Sequence, residues 1–105
     1  MLAKIWNSAF WVRLDEVVIE NLDALLDSAG FGVLGKQRHD FVPQGVTCLW
    51  LLSESHLALH TWPEHGVAYV ELSSCNKEWA EVFADGLERV MVIKQRRDGE
   101  NGYEG

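Results

Sequence analysis

The chain has 105 residues, 48% of them hydrophobic, with sixteen acids against nine bases and a formal charge of -7. That length fits one domain with its own core, and the acidic balance argues against a nucleic-acid or anionic-membrane partner, since both call for a basic patch. Two cysteines are too few for a disulfide framework, no leader peptide is legible, and the longest apolar stretch, residues 46–52, is far short of the roughly 20 residues of a membrane span. A soluble protein of the reducing cytoplasm is expected.

In chain order, a β-branched and aromatic run at residues 5–14 predicts a strand. Residues 15–29 carry Val18, Leu22, Leu25, Leu26 and Ala29 at three- and four-residue spacing, begin with acids and stop at Gly30, which predicts an amphipathic helix. Strands are predicted over 31–41, 46–52, 57–62 and 67–72, with Pro43-Gln44-Gly45 and Pro63-Glu64-His65-Gly66 supplying turns for sequential antiparallel pairing. Asn76 is the expected N-cap of a second helix, whose Trp79, Phe83 and Leu87 share one face at spacing four. Residues 90–94 read as a last strand, and the polar, aperiodic residues 95–105 as a fraying tail. The order β, α, β-meander, α, β predicts an α+β fold: one antiparallel sheet with both helices on one face. The other face stays open, and with five tryptophans in the chain that apolar surface points to an oligomer.

The densest reactive run is Ser53-Glu54-Ser55-His56, followed by His60, Glu64, His65 and Cys75. These residue types suit a zinc site, but on a strand His56 and His60 would stand about 13 Å apart at a rise of ~3.3 Å per residue, too far to share one ion. A serine hydrolase with Ser55 as nucleophile and His60 as base is a second idea; the Gly-x-Ser-x-Gly elbow it would ordinarily show is missing. Taken singly, Ser55 is a turn residue, His60 an interior histidine, Cys75 and Cys48 small hydrophobes, Phe41 a core aromatic and Glu64 a solvated acid. The context of the run changes that reading.

Ser53-Glu54-Ser55-His56-Leu57-Ala58-Leu59-His60-Thr61-Trp62-Pro63-Glu64, together with Cys75 and the upstream His39-Asp40-Phe41-Val42-Pro43-Gln44-Gly45-Val46-Thr47, resembles the self-processing region of the prokaryotic S-adenosylmethionine decarboxylases. The resemblance implies a pyruvoyl-dependent enzyme that makes its own cofactor. The Ser55 hydroxyl would attack the carbonyl of Glu54, giving an ester; removal of the Ser55 α-proton and β-elimination would then release residues 1–54. The dehydroalanine left at the head of residues 55–105 would hydrolyse to a pyruvoyl group and ammonia, and the pyruvoyl group forms a Schiff base with the substrate amine and acts as electron sink for decarboxylation.

By the same resemblance, His60 matches the base of processing and Thr47 a hydroxyl that steadies its oxyoxazolidine intermediate. Cys75 matches the proton donor of decarboxylation, a role open to a thiol because an unperturbed thiol is protonated near neutral pH. Phe41 matches the aromatic stacked on adenine, and Glu64 the carboxylate on the ribose hydroxyls. No metal is implied. The substrate would be S-adenosylmethionine and the product the aminopropyl donor for spermidine. Two copies would stack their sheets as an αββα sandwich, with residues of both protomers in each site.

The chain departs from the family in three places. Residues 5–10 lack the glycine-x-histidine segment, Asn76 stands where a glycine commonly follows the cysteine, and the join from the first helix to the next strand is shortened. These departures leave two alternatives: an ornithine or arginine decarboxylase with the same pyruvoyl chemistry, or an unprocessed homologue that serves as a binding partner.

Overall fold

Period-two alternation sets the sheet. In the computed structural model, which describes residues 3–105, the strands are β1 (Ala3–Arg13), β2 (Val33–Asp40), β3 (Val46–Leu52), β4 (Ser55–Trp62), β5 (Val67–Ser74) and β6 (Ile93–Tyr103). They form one sheet in the order β2-β3-β4-β5-β1-β6, every pairing antiparallel. The helices are α1 (Val18–Ala29) and α2 (Lys77–Val90), with a short 3-10 turn at Pro63–His65.

Phe10 and Val12, Cys48, Trp50 and Leu52, Leu57 and Leu59, and Ala68, Val70 and Leu72 are buried at alternate positions of β1, β3, β4 and β5. They pack with Val18, Leu22 and Leu26 of α1 and Ala80, Phe83 and Leu87 of α2 in one cluster, so both helices cover the same face, as expected. Asp23 of α1 accepts a 2.7 Å hydrogen bond from the Trp50 indole, and Phe31 meets Trp79 edge-on at 5.5 Å. The odd-numbered positions of β3 point the other way and leave Leu49 and Leu51 48% and 59% exposed. Trp11, Trp62 and Tyr69 share that open face, Trp11 lying 5.2 Å from Trp62 and 5.0 Å from Tyr69 between ring centroids.

Several boundaries differ from expectation for physical reasons. Helix α1 starts at Val18, because the Asp15 carboxylate accepts from the Val17 N–H and forms a tight turn before it. Helix α2 runs on to Val90, so the predicted strand at 90–94 begins at Ile93. The largest correction is the tail: residues 95–103 form most of β6, paired along β1. Its charges are cross-linked, Lys4 to Glu100 at 2.6 Å and Arg96 to both Asp98 and Glu88, and Arg96 lies over the Phe10 ring. The charges that read as a solvated tail also suit an edge strand, which they guard against further pairing.

Candidate active site

The turn joining β3 to β4 holds only Ser53 and Glu54, because Leu52 pairs with Ser55. Glu54 sits in the left-handed region at φ 59°, a conformation that costs a residue with a Cβ and is ordinarily left to glycine. Ser55 is the first residue of β4, so the irregular backbone lies at the residue before it and not at Ser55 itself. The Glu54 carbonyl accepts a 2.9 Å hydrogen bond from the Cys75 N–H, and the Ser55 hydroxyl lies 2.7 Å from the hydroxyl of its cross-strand partner Ser74. Cys75 is exposed just past the end of β5. Asn76 caps α2 by accepting from the Trp79 N–H at 3.0 Å, as expected. Glu54, Ser55 and Cys75 therefore meet at one corner of the sheet.

His60 stands at the other end of the same strand. Across the open face, Thr47, His60, Tyr69 and Trp11 occupy one row of β3, β4, β5 and β1. Thr47 Oγ1 is 3.0 Å from His60 Nδ1, which fixes the imidazole, and Trp62 lies 6.4 Å from it between ring centroids. The Tyr69 hydroxyl donates to Glu71 at 2.6 Å, and that carboxylate, with burial second, pushes the Tyr69 pKa above its ordinary value. Phe41, half-exposed beside His39, belongs to the connection that also carries Gln44, and the Gln44 amide donates to Glu64 at 3.0 Å. Thr47, His60, Phe41 and Glu64 thus gather at this second end.

The two groups do not meet within one chain. Ser55 and His60 are five residues apart on one strand, about 16 Å at ~3.3 Å per residue, and odd spacing puts their side chains on opposite faces. Three neighbours went unnoticed in the sequence: Ser74 beside Ser55, and Tyr69 and Trp62 beside His60. The pairing register reveals them, and register depends on turn lengths that the sequence only suggests.

The S-adenosylmethionine decarboxylase family model matches residues 6–97. The chain belongs to that family. It is similar to the S-adenosylmethionine decarboxylase proenzyme of Persephonella marina, 43% identical over 100 residues that cover 92% of this chain and 73% of that protein. The proenzyme of Bacillus cytotoxicus is 38% identical over 94 residues, covering 83% and 72% of the two chains. Among solved structures, the adenosylmethionine decarboxylase from Aquifex aeolicus aligns with a TM-score of 0.77 at 24% identity, covering 94% of this chain and 88% of that one, and so shares the fold. Among the described residues, no helix of this family member is long and apolar enough to cross a membrane.

Proposed function

We propose that the chain is a proenzyme that cleaves itself between Glu54 and Ser55, and that the processed enzyme decarboxylates S-adenosylmethionine to the aminopropyl donor of spermidine synthesis. The observation that carries this reading is the corner at residue 54, where a left-handed Glu54 has its carbonyl held by the Cys75 N–H next to the Ser55 hydroxyl. When Ser55 Oγ attacks that carbonyl, negative charge grows on the oxygen already facing the Cys75 donor. The strained backbone, worth about 1–3 kcal/mol for a residue held there, is relieved as the peptide link becomes an ester.

His60 is the base that takes the Ser55 α-proton, held by its contact with Thr47, and Thr47 also steadies the intermediate. Elimination then separates residues 1–54, which leave with a terminal carboxylate, from a dehydroalanine at residue 55, and water hydrolyses that dehydroalanine to the pyruvoyl group with loss of ammonia. The pyruvoyl group derived from Ser55 supplies an electron sink for loss of carbon dioxide. Cys75, exposed and joined to the Glu54 carbonyl by its N–H, returns a proton from Sγ to the substrate α-carbon. Phe41 offers its half-exposed ring to adenine, and Glu64 offers a carboxylate to the ribose hydroxyls and suits the charge of a sulfonium.

Because Ser55 and His60 stand at opposite ends of β4, too far apart to share a site within one chain, this chemistry requires two copies. They stack through their open faces, where Leu49, Leu51, Trp11 and Trp62 supply apolar surface, and form the αββα sandwich. Each site takes Ser55 and Cys75 from one copy and Thr47, His60, Phe41 and Glu64 from the other. The single domain works in the cytoplasm, where two unpaired cysteines suit a reducing medium.

Denaturing mass spectrometry of the full chain, followed by carbon dioxide release assays with S-adenosylmethionine, ornithine and arginine, tests the reading. Two fragments meeting at Glu54 and Ser55, the second with a pyruvoyl terminus, and turnover of S-adenosylmethionine alone are expected. One full-length mass after long incubation would contradict self-processing.

A further inference from the structure

Ser74 has no part in the reaction as described above, yet among the described residues it is the one side chain hydrogen-bonded to the attacking atom. It is fully buried at 0% exposure, and its hydroxyl has three polar neighbours: the Ser55 hydroxyl at 2.7 Å, the Asn76 N–H at 2.9 Å and the Asn76 carbonyl at 3.1 Å. A serine hydroxyl has one proton to give and two lone pairs to accept with. The carbonyl can only accept, so it takes the Ser74 proton; the N–H can only donate, so it takes one lone pair. The one place left for Ser55 is as a donor to the second lone pair. Asn76 is itself fixed, since its side chain caps α2, and the helix start therefore holds Ser74 in this arrangement.

We infer that Ser74 is a positioning residue for self-cleavage: it holds the proton of the Ser55 hydroxyl away from the scissile carbonyl, so that a lone pair of Ser55 Oγ is free to attack. This rests on the reading of Glu54-Ser55 as the processed bond. In the step it serves, the bond from Ser55 Oγ to the Glu54 carbonyl carbon forms and the bond from that carbon to the Ser55 nitrogen breaks. The hydroxyl proton ends on the freed nitrogen. Ser74 acts before the α-proton is removed, and so on a different step from His60.

That difference in step gives the test. The full chain, its Ser74→Ala, Ser74→Cys and Ser74→Thr variants and His60→Ala are made by rapid synthesis, and conversion to residues 1–54 and 55–105 is followed by mass with and without hydroxylamine, which cleaves esters without needing the elimination base. Ser74→Ala and Ser74→Cys are expected to cleave at least about tenfold more slowly, equivalent to about 1.4 kcal/mol of barrier, with hydroxylamine failing to restore cleavage. Ser74→Thr, which keeps the hydroxyl, is expected within about twofold of the unaltered chain, and His60→Ala to cleave when hydroxylamine is added. Ser74→Cys, close to serine in shape and a weak acceptor, decides the matter if Ser74→Ala does not fold. Unaltered cleavage in both variants, or an ester in them that hydroxylamine cleaves as fast as in His60→Ala, would overturn the assignment while leaving self-processing intact. An unaltered chain that stays whole would instead remove the reading beneath it, and the assignment with it.

Discussion

The two ends of β4 are built from different materials. At Ser55 the parts are backbone and small hydroxyls: a left-handed residue, an N–H aimed at its carbonyl and a half-buried Ser55–Ser74 contact. At His60 they are rings on an open face: imidazole, two indoles and a phenol, with Thr47 fixing the imidazole. The first end gains rigidity from three elements that meet there, the β3-β4 turn, β5 and the start of α2. The second gains exposure, and exposure on a flat apolar face is what a second copy of the chain would cover. A strand cannot bring its own two ends together, so the nucleophile and base proposed above, five residues apart on it, must serve different sites.

That contrast can be broken or sharpened by substitution. Ser55→Ala removes the hydroxyl proposed to attack, and cleavage measured by mass is expected to vanish; any residual cut at 54–55 would mean another nucleophile. Replacing both Leu49 and Leu51 with lysine puts charge on the open face while leaving the core, which lies on the other side, untouched. Sedimentation should show a folded monomer whose cleavage is slowed about 100-fold or more, the loss expected when a general base is withdrawn. A monomer that cleaves normally would place the base within one chain.

Thr47→Val deletes the contact with His60 and keeps the shape. It should slow cleavage about tenfold, as one lost hydrogen bond of about 1 kcal/mol or slightly more implies, and unchanged cleavage would remove Thr47 from the processing machinery. The smallest effect separates the two cysteines. Cys48 is buried at 0% exposure and burial pushes its thiol pKa up, whereas Cys75 is exposed. Peptide mapping after brief alkylation of the folded chain should find Cys75 labelled and Cys48 protected, and labelling of Cys48 first would contradict the packing of β3 against α1.

Much of this was legible in the residues. Periodicity located both helices, β3 was bounded at both ends by its apolar run and turns, and the Asn76 cap was visible as a residue type at the head of an apolar face. Only the first residues of strand β6 were, because the stability of the rest comes from pairing with β1 and from the Lys4 and Arg96 ion pairs rather than from apolar alternation. At the site, the resemblance supplied Ser55, His60 and Cys75 as names without positions. The left-handed turn at Glu54 and the Ser55–Ser74 pairing depend on register, which no local pattern states.

The most direct measurement is complementation between two inactive chains. Ser55→Ala keeps its His60 end and His60→Ala keeps its Ser55 end, so a mixed dimer holds one complete site. On refolding the two together, mass spectrometry should find the His60→Ala chain cut between Glu54 and Ser55 and the Ser55→Ala chain whole, while neither is cut alone. A mixture in which the His60→Ala chain stays intact, under conditions where the unaltered chain cleaves, would contradict a site shared between two copies.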